Sequence, residues 1–265
     1  MALSVLSAPS VLSVYPDEES LSRAAAELFV QAARGASKAG APFSVALSGG
    51  HTPRRTYELL ARPPFREQVD WDLVHIFWGD ERCVPPDDPR SNARMAREAL
   101  LEHVPVPRSG IHPILCHESP EAAAWRYEAL LRSFFSDRSP RFDLIFLGLG
   151  ENGHTASLFP GTPVLREHTR WVSEVYVTEQ DMYRVTLTAP FINQARLVAF
   201  MVAGADKARI LTEVLEGPRD PYRLPAQFID PESGTLHWLV DEAAAVLRAE
   251  RKTDGGCALA NGVRR

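Results

Sequence analysis

The feature that most constrains this chain is a series of short apolar runs, rich in β-branched residues, several of which lack polar alternation. They lie near residues 11–15, 43–47, 73–78, 143–149, 171–177, 185–188, 197–202 and 236–240. A strand that is apolar throughout is covered on both faces, the condition of strands in a parallel sheet. Turn residues bound each run and a longer stretch at helical spacing follows, which is the signature of βαβ units.

The intervening stretches carry helix start signals. Thr52 before Pro53 predicts an N-cap followed by proline at the first helical position, where a missing N–H does no harm. The same logic starts helices at Ser91, at Ser119 with Pro120 first, near Ala205 and at Asp241, and residues 18–33 supply an earlier amphipathic one. Prolines and charges in VPPDDPR, residues 84–90, mark a surface loop rather than a linker. With no internal repeat or low-complexity tract, residues 1–251 read as one α/β domain and residues 252–265 as a flexible tail.

Composition narrows the function classes. A chain of 265 residues, 45% hydrophobic and 24% charged, can bury a large core. A net charge of -5 and a pI near 5.9 argue against a nucleic-acid partner, so an anionic ligand must be held by a few placed cations. Cys83, Cys116 and Cys257 form no CxxC pair and read as reduced thiols of a cytosolic protein. No basic leader precedes an apolar core at the N-terminus, and nothing reaches the roughly 18 apolar residues of a membrane span. A cytoplasmic location without a membrane partner is therefore expected.

Four motifs carry candidate chemistry. In VALSGGHTPRR, Ser48, Gly49 and Gly50 turn a strand into a helix, whose free N–H groups suit a phosphate; a plain βα connection fits equally well. In IFWGDERCVPP, a strand delivers Asp80, Glu81 and Arg82 at its C-terminal end, where open parallel sheets bind ligands; surface ion pairing is the alternative. In FLGLGENGHTASLFPG, His154 stands among glycines at the mouth of the sheet, and imidazole suits acid–base work near neutrality. That run is not the GxSxG elbow of serine hydrolases. Arg184 in YRVTLT and Lys207 in GADKAR begin a strand and a helix, and both suit one anion. The eight histidines show no metal-ligand spacing, so neither metal nor cofactor is expected.

With SGGHTP, GDERCVP, SN, GLGENGHTASLFPG, RVTLT, ADKAR and PAQ in order along nearly its whole length, the chain resembles the 6-phosphogluconolactonase family, and more distantly glucosamine-6-phosphate deaminase. The resemblance implies a Rossmann-like, doubly wound, mostly parallel sheet flanked by helices, of the NagB/RpiA/CoA-transferase-like type. It also implies hydrolysis of 6-phospho-D-glucono-1,5-lactone in the oxidative pentose phosphate pathway. It puts the phosphate on Ser48, Gly49, Gly50 and Thr52 with Arg184 and Lys207, and the lactone near Asp80, Arg82 and His154. The small-molecule substrate is then the expected partner, with the oligomeric state left between monomer and weak dimer.

Two positions depart from the family's pattern, and a third separates the two relatives. His51 stands where serine is common, and Asn152 where aspartate often precedes the Gly-His pair. The Asn152 carbonyl can still accept the imidazole N–H, fixing the tautomer without adding charge. Phe159 precedes Pro160 where the deaminase pattern has glutamate, which disfavours the deaminase reading. The remaining rival, a non-catalytic sugar-phosphate sensor, lacks a helix-turn-helix segment here.

Overall fold

The computed structural model describes residues 10–247, so the expected tail at 252–265 and Cys257 lie outside the described residues. Nine strands are formed by them: β1 Ser10–Tyr15, β2 Phe43–Leu47, β3 Val74–Trp78, β4 Asp80–Arg82, β5 Leu144–Gly148, β6 Val172–Val177, β7 Met182–Leu187, β8 Leu197–Val202 and β9 Thr235–Asp241. Six make a sheet in the order β1-β9-β8-β5-β2-β3, and every pairing in it is parallel. The helices are α1 Glu18–Lys38, α2 His51–Leu60, α3 Asn92–Ala96, α4 Pro120–Phe134, α5 Ala189–Ile192 and α6 Ala208–Glu216, with α3 continuing as a π turn over Arg97–Leu101. Among the described residues no helix is long and apolar enough to cross a membrane.

The apolar runs behave as their pattern requires. All five residues of β2 are buried, as are Leu144 to Leu147 of β5 and Val198 to Val202 of β8. Each large apolar side chain so buried contributes roughly 1.5–3 kcal/mol. Only at the edge does the sheet relax, where Val11, Leu12 and Val14 of β1 are exposed. Helix α1 is capped by Asp17, whose carboxylate accepts from the Ser20 N–H at 2.7 Å, and it buries Leu21, Ala25, Phe29 and Ala33. Ser91 and Ser119 cap α3 and α4 as their sequence signals predict.

Strand order fixes where a ligand can bind. From β2 the chain moves outward to β3, then returns to β5 on the other side of β2 and continues through β8 to β9. This reversal between β2 and β5 opens a crevice at the strand C-termini, the position of ligand sites in doubly wound sheets.

Four expectations need correction. The runs at 171–177 and 185–188 leave the main sheet: β6 and β7 pair antiparallel with each other, and β4 adds to β7 to make a separate three-stranded sheet. Asp80, Glu81 and Arg82 accordingly lie not on the tip of β3 but on β4, after Gly79 has turned the chain. Helix α2 begins at His51 with Gly50 as its N-cap, φ 111°, and the Thr52 hydroxyl caps nothing, since it donates to Glu18 Oε1 at 2.8 Å. Cys83 and Cys116 form a disulfide with their Cα atoms 5.2 Å apart. A separation of 33 residues hides this pairing, which arises because Cys83 follows β4 while Ile111 bridges to Ile76 of β3 and leads the chain back.

Candidate active site

Two buried tyrosines prepare the ends of the strands. Tyr57 of α2 donates its hydroxyl to the Ser48 carbonyl at 2.9 Å and accepts from the Ser48 N–H at 3.0 Å. Tyr127 of α4 does the same at Trp78, at 3.1 Å and 2.9 Å. Each phenol satisfies a donor and an acceptor that the sheet no longer pairs, so the turns beyond β2 and β3 leave from fixed points. After Ser48 the chain runs through Gly49 and Gly50 into α2, whose first turn has no side-chain cap. Its leading N–H groups and positive dipole end therefore face the crevice unclaimed by a side chain. Thr52 contributes backbone there, not its hydroxyl, and the exposed His51 ring pairs with Glu18 at 3.0 Å.

On the other side of the crevice, β4 and β7 bring charges together. Asp80 is buried and accepts from Ser157 Oγ at 2.5 Å, Asn92 Nδ2 at 3.2 Å and Arg184 Nη1 at 3.4 Å. Arg184 Nη2 also donates to the Gln180 side-chain oxygen Oε1, and burial pulls its guanidinium below the ordinary arginine value. Arg82 Nη1 donates to the Arg90 carbonyl and to Asn92 Oδ1, both at 2.7 Å. Arg82 and Arg184 are direct cross-strand partners, and the Nε–H of each is buried without a partner. Glu81 faces away from this cluster and accepts from the N–H groups of Arg82, Asn92 and Ala93 and from the Ser91 hydroxyl. Burial raises its carboxyl above the ordinary glutamate value, against those backbone donors.

His154 lies in the turn after β5. The Asn152 side-chain oxygen accepts from the His154 backbone N–H at 3.2 Å and stands 2.6 Å from Nδ1. Because the backbone group can only donate, the shared atom is the amide oxygen, so Nδ1 carries the proton and Nε2 keeps its lone pair. The ring stacks on Phe159, centroids 4.0 Å apart, and passes so close to Gly150 that a Cβ there would stand 2.0 Å from Nδ1. Burial first, then the cations Arg184, Lys207 and Arg82, lower its pKa to about 4 against the opposing pull of Asp80. The imidazole is thus neutral at physiological pH and poised as a base.

Lys207 comes from the turn between β8 and α6. Asp241 at the end of β9 accepts from the Gly204 N–H at 3.0 Å and from Ala244 at 2.8 Å, fixing the turn that carries the lysine. The ammonium lies 3.3 Å from Asp206 and 4.0 Å from Glu151. Ser48, Gly49, Gly50, Thr52, Asp80, Arg82, His154, Arg184 and Lys207 all line one crevice of about 430 Å³, ample for a sugar phosphate. Asn152 supports the histidine from behind and is not part of the lining.

The sequence reading missed Asn92, Ser157 and Gln180. Asn92 was readable as the first residue after a helix cap and as part of the SN motif, with no role attached to it, and Ser157 only as a small residue in a turn. Among the described residues no three histidine, cysteine or carboxylate side chains converge to hold a metal ion.

Residues 16–238 match the sequence profile of the family described as glucosamine-6-phosphate isomerases/6-phosphogluconolactonase. The 6-phosphogluconolactonase of a Synechocystis strain is 47% identical over 206 residues, which cover 76% of this chain and 82% of that protein. That of a Nostoc strain is 40% identical over 238 residues, covering 88% and 96%. The solved 6-phosphogluconolactonase of Trypanosoma brucei superposes with a TM-score of 0.79 at 31% identity, covering 91% of this chain and 99% of that one.

Proposed function

Since the chain belongs to the family of glucosamine-6-phosphate isomerases and 6-phosphogluconolactonases, we propose that its crevice hydrolyses 6-phospho-D-glucono-1,5-lactone to 6-phospho-D-gluconate, a step of the oxidative pentose phosphate pathway. One observation carries the assignment to this crevice. Arg82 and Arg184 face each other across β4 and β7, each with an unpartnered buried Nε–H, beside a neutral histidine. Like charges directly opposite are unfavourable, and an anionic ligand in the crevice that both residues line offsets that cost.

A δ-lactone is an activated ester, so the enzyme has to activate water, stabilise one oxyanion and protonate the ring oxygen. Nε2 of His154 takes a proton from water as its oxygen attacks C1. The carbonyl π electrons move onto the exocyclic oxygen, and Arg82 meets the negative charge there. Collapse of the tetrahedral intermediate breaks the bond from C1 to the ring oxygen, which receives the proton back from His154. Asp80 holds Arg184 and Ser157 in place, and its inward contacts make it a support of the site. The phosphate sits on the free N–H groups at the start of α2, with Lys207 and Arg184 as its cations, and fixes the lactone for attack.

Phe159 further favours this reading over deamination, since an apolar ring packs on His154 where the deaminase pattern has an acid. The test is proton release from freshly prepared 6-phosphogluconolactone, with the unphosphorylated lactone as control. Strong acceleration of the first and weak acceleration of the second are expected; acceleration of neither refutes the reading, and ammonia release from glucosamine 6-phosphate replaces it with the deaminase.

A further inference from the structure

We infer that Asn92 is the positioning residue that holds Asp80 and Arg82 in one geometry and keys both to the phosphate turn, an inference that rests on the lactonase reading above. Asn92 is 2% exposed, and its carboxamide is used from both ends. Nδ2 donates to the Asp80 carbonyl at 2.9 Å and to its carboxylate at 3.2 Å, while Oδ1 accepts from Arg82 Nη1 at 2.7 Å. A primary amide alone among side chains of this size places donors and an acceptor on one rigid plane. Aspartate would face Asp80 with a second carboxylate, and leucine would take one partner from each of three polar groups.

The amide is itself held. Its backbone N–H donates to Glu81 Oε1 at 2.8 Å, and the same carboxylate takes the Ala93 N–H at 2.7 Å and the Ser91 hydroxyl at 3.0 Å. Glu81 thereby ties the start of α3 to β4, and this explains why an acid stands between Asp80 and Arg82 without lining the crevice. With one Nη1 hydrogen on Asn92 and the other on the Arg90 carbonyl, the Arg82 fork is committed on that nitrogen, and Nη2, which makes no hydrogen bond among the described residues, is left for the substrate.

Gly49 supplies the third connection. A Cβ at Gly49 would stand 1.8 Å from Asn92 Oδ1 and 2.5 Å from its carboxamide carbon, both in a side chain already fixed by several hydrogen bonds. The glycine of the phosphate turn is therefore a seat for the Asn92 amide. One planar group separates the turn that binds the phosphate from the guanidinium that meets the oxyanion, so it sets the distance between the two ends of the substrate's site.

The test is steady-state kinetics of Asn92→Ala on an active wild-type preparation, since inactivity of the wild type would instead defeat the lactonase reading. Release of Arg82 is expected to lower kcat on the order of 10²-fold, as a displacement of a reacting group by about 1 Å does. KM for the phosphorylated lactone should stay within about threefold, because the α2 turn and Lys207 are untouched. In the Arg82→Ala background the same change should cost less than about twofold, since residues acting as a unit are non-additive. Wild-type kcat in Asn92→Ala, or a full second loss in the double variant, overturns the proposal. Should that variant fail to fold, Asn92→Asp preserves the size and the acceptor for Arg82 but opposes Asp80; wild-type kcat there overturns the proposal equally.

Discussion

In the six-stranded sheet, β5 and β8 are apolar from end to end and neutral phenols finish the ends of β2 and β3, whereas the three-stranded sheet buries Asp80, Glu81 and Arg184. The first sheet supplies stability and a set of strand ends at one level, from which His154 and Lys207 are hung; the second supplies the buried ion pair. Burying an ion pair costs desolvation that its attraction repays only with good geometry and further hydrogen bonds. Here the repayment is incomplete, since two guanidinium Nε–H groups stay buried without a partner and two arginines stand opposite each other, a repulsion that a substrate anion offsets. The small sheet is thus organised around what binds to it, and the large one around itself.

The strongest test of this division sets one residue from each function against the other. His154→Ala removes the proton carrier and is expected to lower kcat by roughly 10²–10⁴-fold with little change in KM or in the unfolding midpoint. Turnover near that of the wild type would take the histidine out of the mechanism. Phe146→Ala, in the middle of β5 and fully buried, is expected to cost about 3–5 kcal/mol in denaturant unfolding while leaving kcat of the folded molecules unchanged. A loss of kcat in proportion to stability would show that the large sheet does more than carry the site.

Arg184→Met asks the same of the small sheet. Methionine fills most of the space, and although removing one partner of a buried ion pair can cost about 3–5 kcal/mol, that cost falls where the remaining carboxylate keeps other hydrogen-bond donors. Asp80 retains Ser157 and Asn92 as donors. A stability change under about 2 kcal/mol is expected together with a rise in KM of about tenfold, equivalent to about 1.4 kcal/mol of lost binding. Destabilisation as large as that of Phe146→Ala, with KM unaltered, would make Arg184 a structural residue and reverse the comparison.

The same contrast explains what could be read in the sequence. Strands β2, β5 and β8 announce themselves because burial on both faces demands an apolar run, and caps such as Ser119 before Pro120 act within one turn. Thr52 misled because the cap signal it carries is local, while the start of α2 is set by the Gly50 turn and by Glu18 of α1, which takes the Thr52 hydroxyl. His154, Asp80, Arg82, Arg184 and Lys207 were readable as motifs at strand ends. Their supports were not: Asn92, Ser157 and Gln180 are ordinary polar residues whose importance arises only when β4, β7 and the β5 turn meet. The Cys83–Cys116 disulfide belongs to the same class of long-range contact.

The smallest effect expected is also the most specific, and it concerns Asn152, which stands where the family resemblance implies an aspartate. Asn152 fixes the tautomer of His154 without charging it, so the imidazole keeps a pKa of about 4 and remains a base throughout the physiological range. As pH falls through that value the ring takes up a proton, the base is lost and kcat/KM, which reports the free enzyme, should drop tenfold per unit, the slope of a single titrating group. Asn152→Asp puts a carboxylate against Nδ1–H, which favours the imidazolium and moves the acid limb to higher pH. At pH 8, well above both limbs, the two proteins should differ by less than about threefold in kcat, because the neutral ring and its tautomer are the same in each. An acid limb that does not move would mean that the pH profile reports a group other than His154, and that the neutral amide beside it has no bearing on its charge.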